Sequence, residues 1–115
     1  MPTITAVNTA SIALGASVSG AVQLNGQALR SIAMPSGWDA AVLTFQASED
    51  GANWLDLYDE NGAVVTLQTA AARRLKLPHG LIDSINWLRV RSGTPGATVT
   101  QTVQRDLVLI SRAYV

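Results

Sequence analysis

Residues 42–59, VLTFQASEDGANWLDLYD, carry the clearest structural signal in the chain. Leu43, Phe45 and Ala47 alternate with polar neighbours, Asp50-Gly51 supplies a turn, and Trp54, Leu55 and Leu57 carry the return strand. Period-two alternation around an Asp-Gly pair marks a β-hairpin with one face on a core, the habit of a half-buried antiparallel sheet. The stretch holds no reactive constellation, so its residues point to a scaffold or binding module.

Outward from that hairpin, runs of Val, Ile, Leu and Thr recur at about ten-residue spacing, punctuated by Gly, Asn, Pro and Asp, a rhythm that belongs to sandwiches and barrels. The pattern predicts an all-β chain, an antiparallel, jelly-roll-like β-sandwich of about eight or nine short strands. Strands are expected at 11–14, 17–24, 29–34, 42–48, 54–58, 63–67, 73–77, 86–92 and 104–113. Turns are expected at Asn25-Gly26, Pro35-Ser36-Gly37, Asp50-Gly51, Asn61-Gly62 and residues 92–96, where Gly, Asn or Pro supplies the backbone angle a tight connection needs. Residues 66–72 and 78–84 fit at most a helical turn.

The bulk properties bound the rest. A chain of 115 residues fits one domain with one core. Residues 11–115 are assigned to that domain, and residues 1–10, MPTITAVNTA, to an extended N-terminal arm able to add a strand to a partner sheet. Hydrophobic residues make up 48% and charged residues 14%, which argues against disorder and suggests that apolar surface meets another protein. The formal net charge of zero supplies no field for nucleic acid or acidic membrane, so neither is expected as a partner. The absence of cysteine excludes disulfides and thiolate metal sites. The first twenty residues lack a basic start and an unbroken apolar run, so synthesis in the cytoplasm without a signal peptide is expected.

His79 stands alone in a Leu-Pro-His-Gly turn without the companions a metal or catalytic triad needs. No cofactor and no catalytic residue is therefore assigned. Glu49, Asp50, Asp56, Asp59 and Glu60 gather around the hairpin, but without the regular calcium-loop ladder; turn and surface roles are the better reading. Leu88 and Val90 share the core face of their strand, whereas Trp87, Arg89 and Arg91 share the other; the two arginines are read as pairing with the acidic residues, either within the molecule or across a subunit interface, and as candidate partner contacts. Trp38, Trp54 and Trp87 could offer stacking faces to a host glycan, set against core or interface anchoring. Leu107 and Leu109 alternate with equally apolar Val108 and Ile110, a strand covered on both sides, one cover being a neighbouring subunit.

Residues 44–59, TFQASEDGANWLDLYD, and 87–94, WLRVRSGT, resemble a group of small proteins encoded among structural genes of tailed phages, prophages and gene transfer agents. The shared pattern joins Leu43, Thr44, Phe45, Ser48, Asp50 and Gly51 to the run from Asp56 to Asp59, then to the strand at 87–94 and a closing apolar strand. The resemblance implies a non-enzymatic virion component on the capsid surface, a capsid decoration (cement) protein bound to the major capsid protein as a homo-oligomer, with a trimer favoured. No functional position carries over from the resemblance; the contacts expected from the residues themselves are Ile4, Val7, Ile12 and Leu14 of the arm and its sequel, with the basic face at Arg89 and Arg91. The alternative is a head-fibre or spike base, or a tail-associated carbohydrate-binding module. The Ser-x-Asp-Gly hairpin also resembles those of discoidin-like and other carbohydrate-binding sandwiches.

Overall fold

The computed structural model describes residues 3–114, with side-chain surroundings for 5–113. Nine strands follow one another: β1 (Thr3–Ile12), β2 (Val22–Gln23), β3 (Ala28–Ala33), β4 (Leu43–Ser48), β5 (Leu55–Asp56), β6 (Arg74–Lys76), β7 (Trp87–Thr94), β8 (Ala97–Thr98) and β9 (Arg105–Tyr114). Sheet A has the order β1-β9-β3-β6 and sheet B the order β2-β7-β4-β5, with β8 attached to β7. All pairings are antiparallel.

The pairing is nested. With β8 set aside, the first strand lies beside the last, β2 beside β7, β3 beside β6, and β4 beside β5. One long hairpin, centred on the β4–β5 connection and rolled so that alternate pairs fall in opposite sheets, gives this jelly-roll order. The innermost pair is the hairpin that the sequence announced, with Gln46 opposite Asp56 and Ala47 opposite Leu55.

The core follows from alternation. Ile12, Leu29, Ile32, Leu107 and Leu109 from sheet A meet Val22, Leu43, Phe45, Leu88 and Val90 from sheet B, all buried. Truncating a residue such as Phe45 to alanine costs about 3–5 kcal/mol at a site of this kind. Asn25 and Gly26 both take positive φ, 54° and 77°, and the Gln27 amide donates to the Leu24 carbonyl at 3.0 Å. That geometry is the primed turn that an Asn-Gly pair favours.

The main departure from the sequence reading is at the N-terminus. Residues 3–10, expected as an arm, lie in β1, which pairs with β9 in unbroken register from Thr3↔Tyr114 to Ile12↔Arg105. The expected boundary between residues 10 and 11 falls inside a strand, and Ala10 and Ile12 are wholly buried. Residues 1 and 2 of the expected arm lie outside the described residues. The strand expected at 17–24 shrinks to Val22–Gln23 plus a bridge at Val18, and that at 63–67 to bridges at Val64 and Leu67. Among the described residues neither 66–72 nor 78–84 forms a helix.

Candidate functional site

Sheet B turns Leu43, Phe45, Leu88 and Val90 inward, so the register of β4, β5 and β7 sets Thr44, Gln46, Ser48, Asp56, Trp87, Arg89 and Arg91 on its outer face. These side chains bond mainly to one another and to nearby backbone. Arg91, 4% exposed, places Nη1 2.7 Å from Asp56 Oδ1 and donates from Nε to Thr44 Oγ1 at 2.9 Å. The Thr44 hydroxyl donates in turn to the Gly93 carbonyl at 2.7 Å, and Gln46 donates to Asp56 at 3.3 Å. The hydrogen bond from Arg91 holds the Asp56 carboxyl below its ordinary pKa. Arg89 stacks over the Trp54 ring, 4.1 Å from its centroid, a cation–π contact.

The hairpin tip is equally self-contained. Ser48 Oγ accepts from the Asp50 and Gly51 amides at 3.2 and 2.9 Å, while Asp50 accepts from the Ala52 and Asn53 amides at 2.8 and 2.9 Å. Those donors hold the Asp50 carboxyl far below the usual range, so it is an anchored anion rather than a proton donor. Gly51, at φ +78°, lies against the Trp87 ring; a Cβ there would meet Cε2 at 3.2 Å.

At one end of the sandwich Gln101, wholly buried, fills every hydrogen-bonding position of its amide. Its Nε2 donates to the Asp39 carbonyl at 3.1 Å and to Ser92 Oγ at 2.8 Å; its Oε1 accepts from the Asp39 amide at 3.0 Å and from Arg105 Nε at 3.1 Å. The Gln101 carbonyl also accepts from the Gly15 amide at 2.9 Å, tying two loops together. Those loops carry the exposed Leu14 and Val103. Nothing in the sequence singles out Gln101, since its role depends on Asp39, 62 residues away, closing the set that Ser92 and Arg105 begin.

The expected site residues separate into distinct groups. Val7 and Leu14 are exposed at 65% and 69%, as a contact surface requires. Ile12 is fully buried, and Arg91 is spent on Asp56 and Thr44, so neither is available to a partner. Arg89 is half-buried on Trp54. Ile4 pairs with Ala113 through the backbone, and its side chain lies outside the described ones. Trp38 is core, its indole N–H donating to the Ala41 carbonyl at 3.2 Å, which removes it from any stacking platform. Trp54 and Trp87 do lie on the same outer face, both half-buried.

A groove of about 670 Å³ opens beside β5, lined by Asn53, Trp54, Leu55, Tyr58, Glu49 and Asn86 among others. Leu55 and Tyr58 are its exposed apolar members. Among the described residues no three His, Cys, Asp or Glu side chains gather as a metal site, and no helix is long and apolar enough to cross a membrane. His79 lies against Arg30.

Fold and surface together define a small jelly-roll β-sandwich whose sheet B carries a bonded polar network on its outer face and whose sheet A ends in the long edge strand β1. Set against known proteins, the chain matches no family model, no curated protein and no solved structure.

Proposed function

We propose that this chain is a non-enzymatic structural protein of a tailed-phage particle, a capsid decoration protein that binds and stabilises the shell. The observation that carries the reading is the uncharged surface of the first strand and the loop after it: no ionisable side chain precedes Arg30, and Val7 and Leu14 stand exposed. Uncharged apolar surface of this kind favours protein contact, and many modest contacts repeated over a lattice sum to stable attachment. The sequence resemblance at residues 44–59 and 87–94 supplies the phage context. Jelly rolls are used by viral capsid proteins and by lectins, so the fold is compatible with this role without choosing it.

Leu14 and Val103, on loops braced by Gln101, are the shell contacts in this reading. Quantitative mass spectrometry of purified particles is the test. About one copy per shell subunit marks a lattice-wide cement; a few per cent marks a spike base or tail part, and absence from the particle removes the reading. Leu14→Asp with Val103→Asp should then leave a folded protein that no longer sediments with particles.

The groove beside β5 favours one second reading, a host-glycan module in which Trp54 and Tyr58 meet the apolar face of a sugar and Asn53 and Asn86 orient its hydroxyls. Glycan-array binding lost in Trp54→Ala would establish it; silence of the folded protein on a broad array would remove it.

A further inference from the structure

The open edge of β1 can be read bond by bond. The Met34 amide donates to the Arg73 carbonyl at 2.7 Å and the Leu77 amide to the Arg30 carbonyl at 2.9 Å, so even-numbered residues of β3 face β6. Ser31 and Ala33 therefore face β9, opposite Ile110 and Val108. On β9 the odd residues Leu107, Leu109 and Ser111 then face β1, opposite Ala10, Asn8 and Ala6. Thr5, Val7 and Thr9 are left with N–H and C=O pointing away from the sheet. Ser11 points the same way, and its carbonyl accepts from the Gly20 amide at 3.2 Å, which closes the edge at that end.

Natural edge strands are guarded by charges, prolines, bulges or shortness. At the opposite edge of sheet A, β6 is three residues long and carries Arg74 and Lys76. β1 has ten residues, TITAVNTASI, with no charge, no proline and no break in register. Its edge-facing positions also read almost the same in both directions: Thr3, Thr5, Val7, Thr9, Ser11.

We infer that the edge of β1 pairs with β1 of a second copy of this chain, antiparallel about a two-fold axis at Val7. That register sets Thr5 opposite Thr9 of the copy and Val7 opposite itself. Three such pairs, each exchanging two N–H···O bonds, give about six backbone hydrogen bonds. Cross-strand threonine pairs are favourable, and a neutral strand carries nothing that repels its own copy. On the outer face of sheet A, Ile110 and Val7 continue into the copy's Val7 and Ile110, so two half-exposed apolar strips become one. The sheet becomes eight strands wide, and the two-fold contact is isologous and closed.

The experiment uses the full chain. Light scattering behind size exclusion, over a range of concentrations, should show a mass rising toward twice the chain's 12.1 kDa. Val7→Lys puts two ammonium groups at the axis while leaving every bond to β9 in place; it should return the mass to one chain with an unchanged circular dichroism spectrum. Val7→Cys tests the register itself. The native chain has no cysteine, and residues directly paired across antiparallel strands lie within disulfide reach. This variant should become a disulfide-linked dimer on mild oxidation at least about tenfold faster than the exposed control Thr100→Cys. A single-chain mass at every concentration, a dimer that survives Val7→Lys, or oxidation no faster than the control overturns the pairing. Self-association read on purified protein does not rest on the virion reading: absence from particles leaves a dimer intact. A single-chain mass together with loss of particle binding in Val7→Lys assigns the edge to another virion protein instead.

Discussion

The outer faces of the two sheets obey the same alternation and end in opposite states. On sheet B the outward positions hold Thr44, Gln46, Asp56 and Arg91, which bond to one another, and Arg89 lies along Trp54. On the β1 side of sheet A they hold Thr5, Val7, Thr9, Val108 and Ile110, which offer mostly methyl groups and hydroxyls, with the charges of Asp106, Arg112, Arg74 and Lys76 around that strip. A charged and polar face can therefore be closed by its own bonds, and an uncharged strip beside an edge strand left open. Residue polarity alone does not tell which surface is free; the partners do.

Four measurements test that contrast. The largest effect is expected from Gly93→Ala. Gly93 has φ +96°, its carbonyl receives the Thr44 hydroxyl, and a Cβ would stand 2.5 Å from the Ala97 carbonyl oxygen and 2.8 Å from the Val99 amide nitrogen. With backbone as the obstacle, the loss should be about 3 kcal/mol or more, read by urea unfolding. Next comes Arg91→Ala. Breaking a buried pair from one side costs about 3–5 kcal/mol; since the Asp56 side chain is 32% exposed, about 2 kcal/mol is expected here. A loss under about 0.5 kcal/mol would show that the network on sheet B fills space without holding the sheet.

Acid is the third probe. Asp39, Asp50, Asp56 and Asp106 are all held below the ordinary carboxylate value, chiefly by hydrogen bonds to the charged form. A lowered folded pKa contributes stability above the unfolded value near 3.9 and loses it as pH falls through the folded one. Tm should therefore be flat with respect to these groups from pH 7 to about 5 and fall below about 4. Asp56→Asn should blunt that fall, and Val7→Lys should leave its shape alone. Smallest is the effect of Val7→Lys on the monomer's own stability, expected within about 0.5 kcal/mol, because the side chain is 65% exposed and its edge-facing amide serves no internal bond. A larger loss would mean that sheet A's outer face is part of the fold rather than a contact surface.

The sequence made some of this legible and hid the rest for physical reasons. The β4–β5 hairpin could be read because its signals, period-two alternation and Asp-Gly, lie within a few residues of one another. The all-β sandwich followed from the spacing of such signals. β1 resembled a free arm because Thr, Ala and Val mark an extended strand without saying what it pairs with, and its partner lies at the far end of the chain. Arg91 was placed on the correct face, but its burial depends on Asp56, 35 residues away. Trp38 sits in a loop, where no periodicity exists to signal burial. Gln101 was missed altogether, because its role is a count of satisfied bonds. Val7 and Leu14 could be found as surface apolar residues in an uncharged segment.

The nested order of strands also sets a timetable. Gln46 and Asp56 close a loop of ten residues, whereas Ser11 and Asp106 close one of 95. The logarithmic cost of loop closure makes the second dearer by about 2 kcal/mol before any contact is formed. The rolled hairpin should thus nucleate at β4–β5 and zip outward, folding from the unfolded chain in about milliseconds to seconds, with φ-values above about 0.5 at Phe45 and near zero at Ile12. Mutational chevron analysis of those two core positions measures that order. Until β1 docks, one side of β9 stands open to the β1 of any neighbouring chain, so refolding at high concentration is the circumstance in which strands are exchanged between molecules.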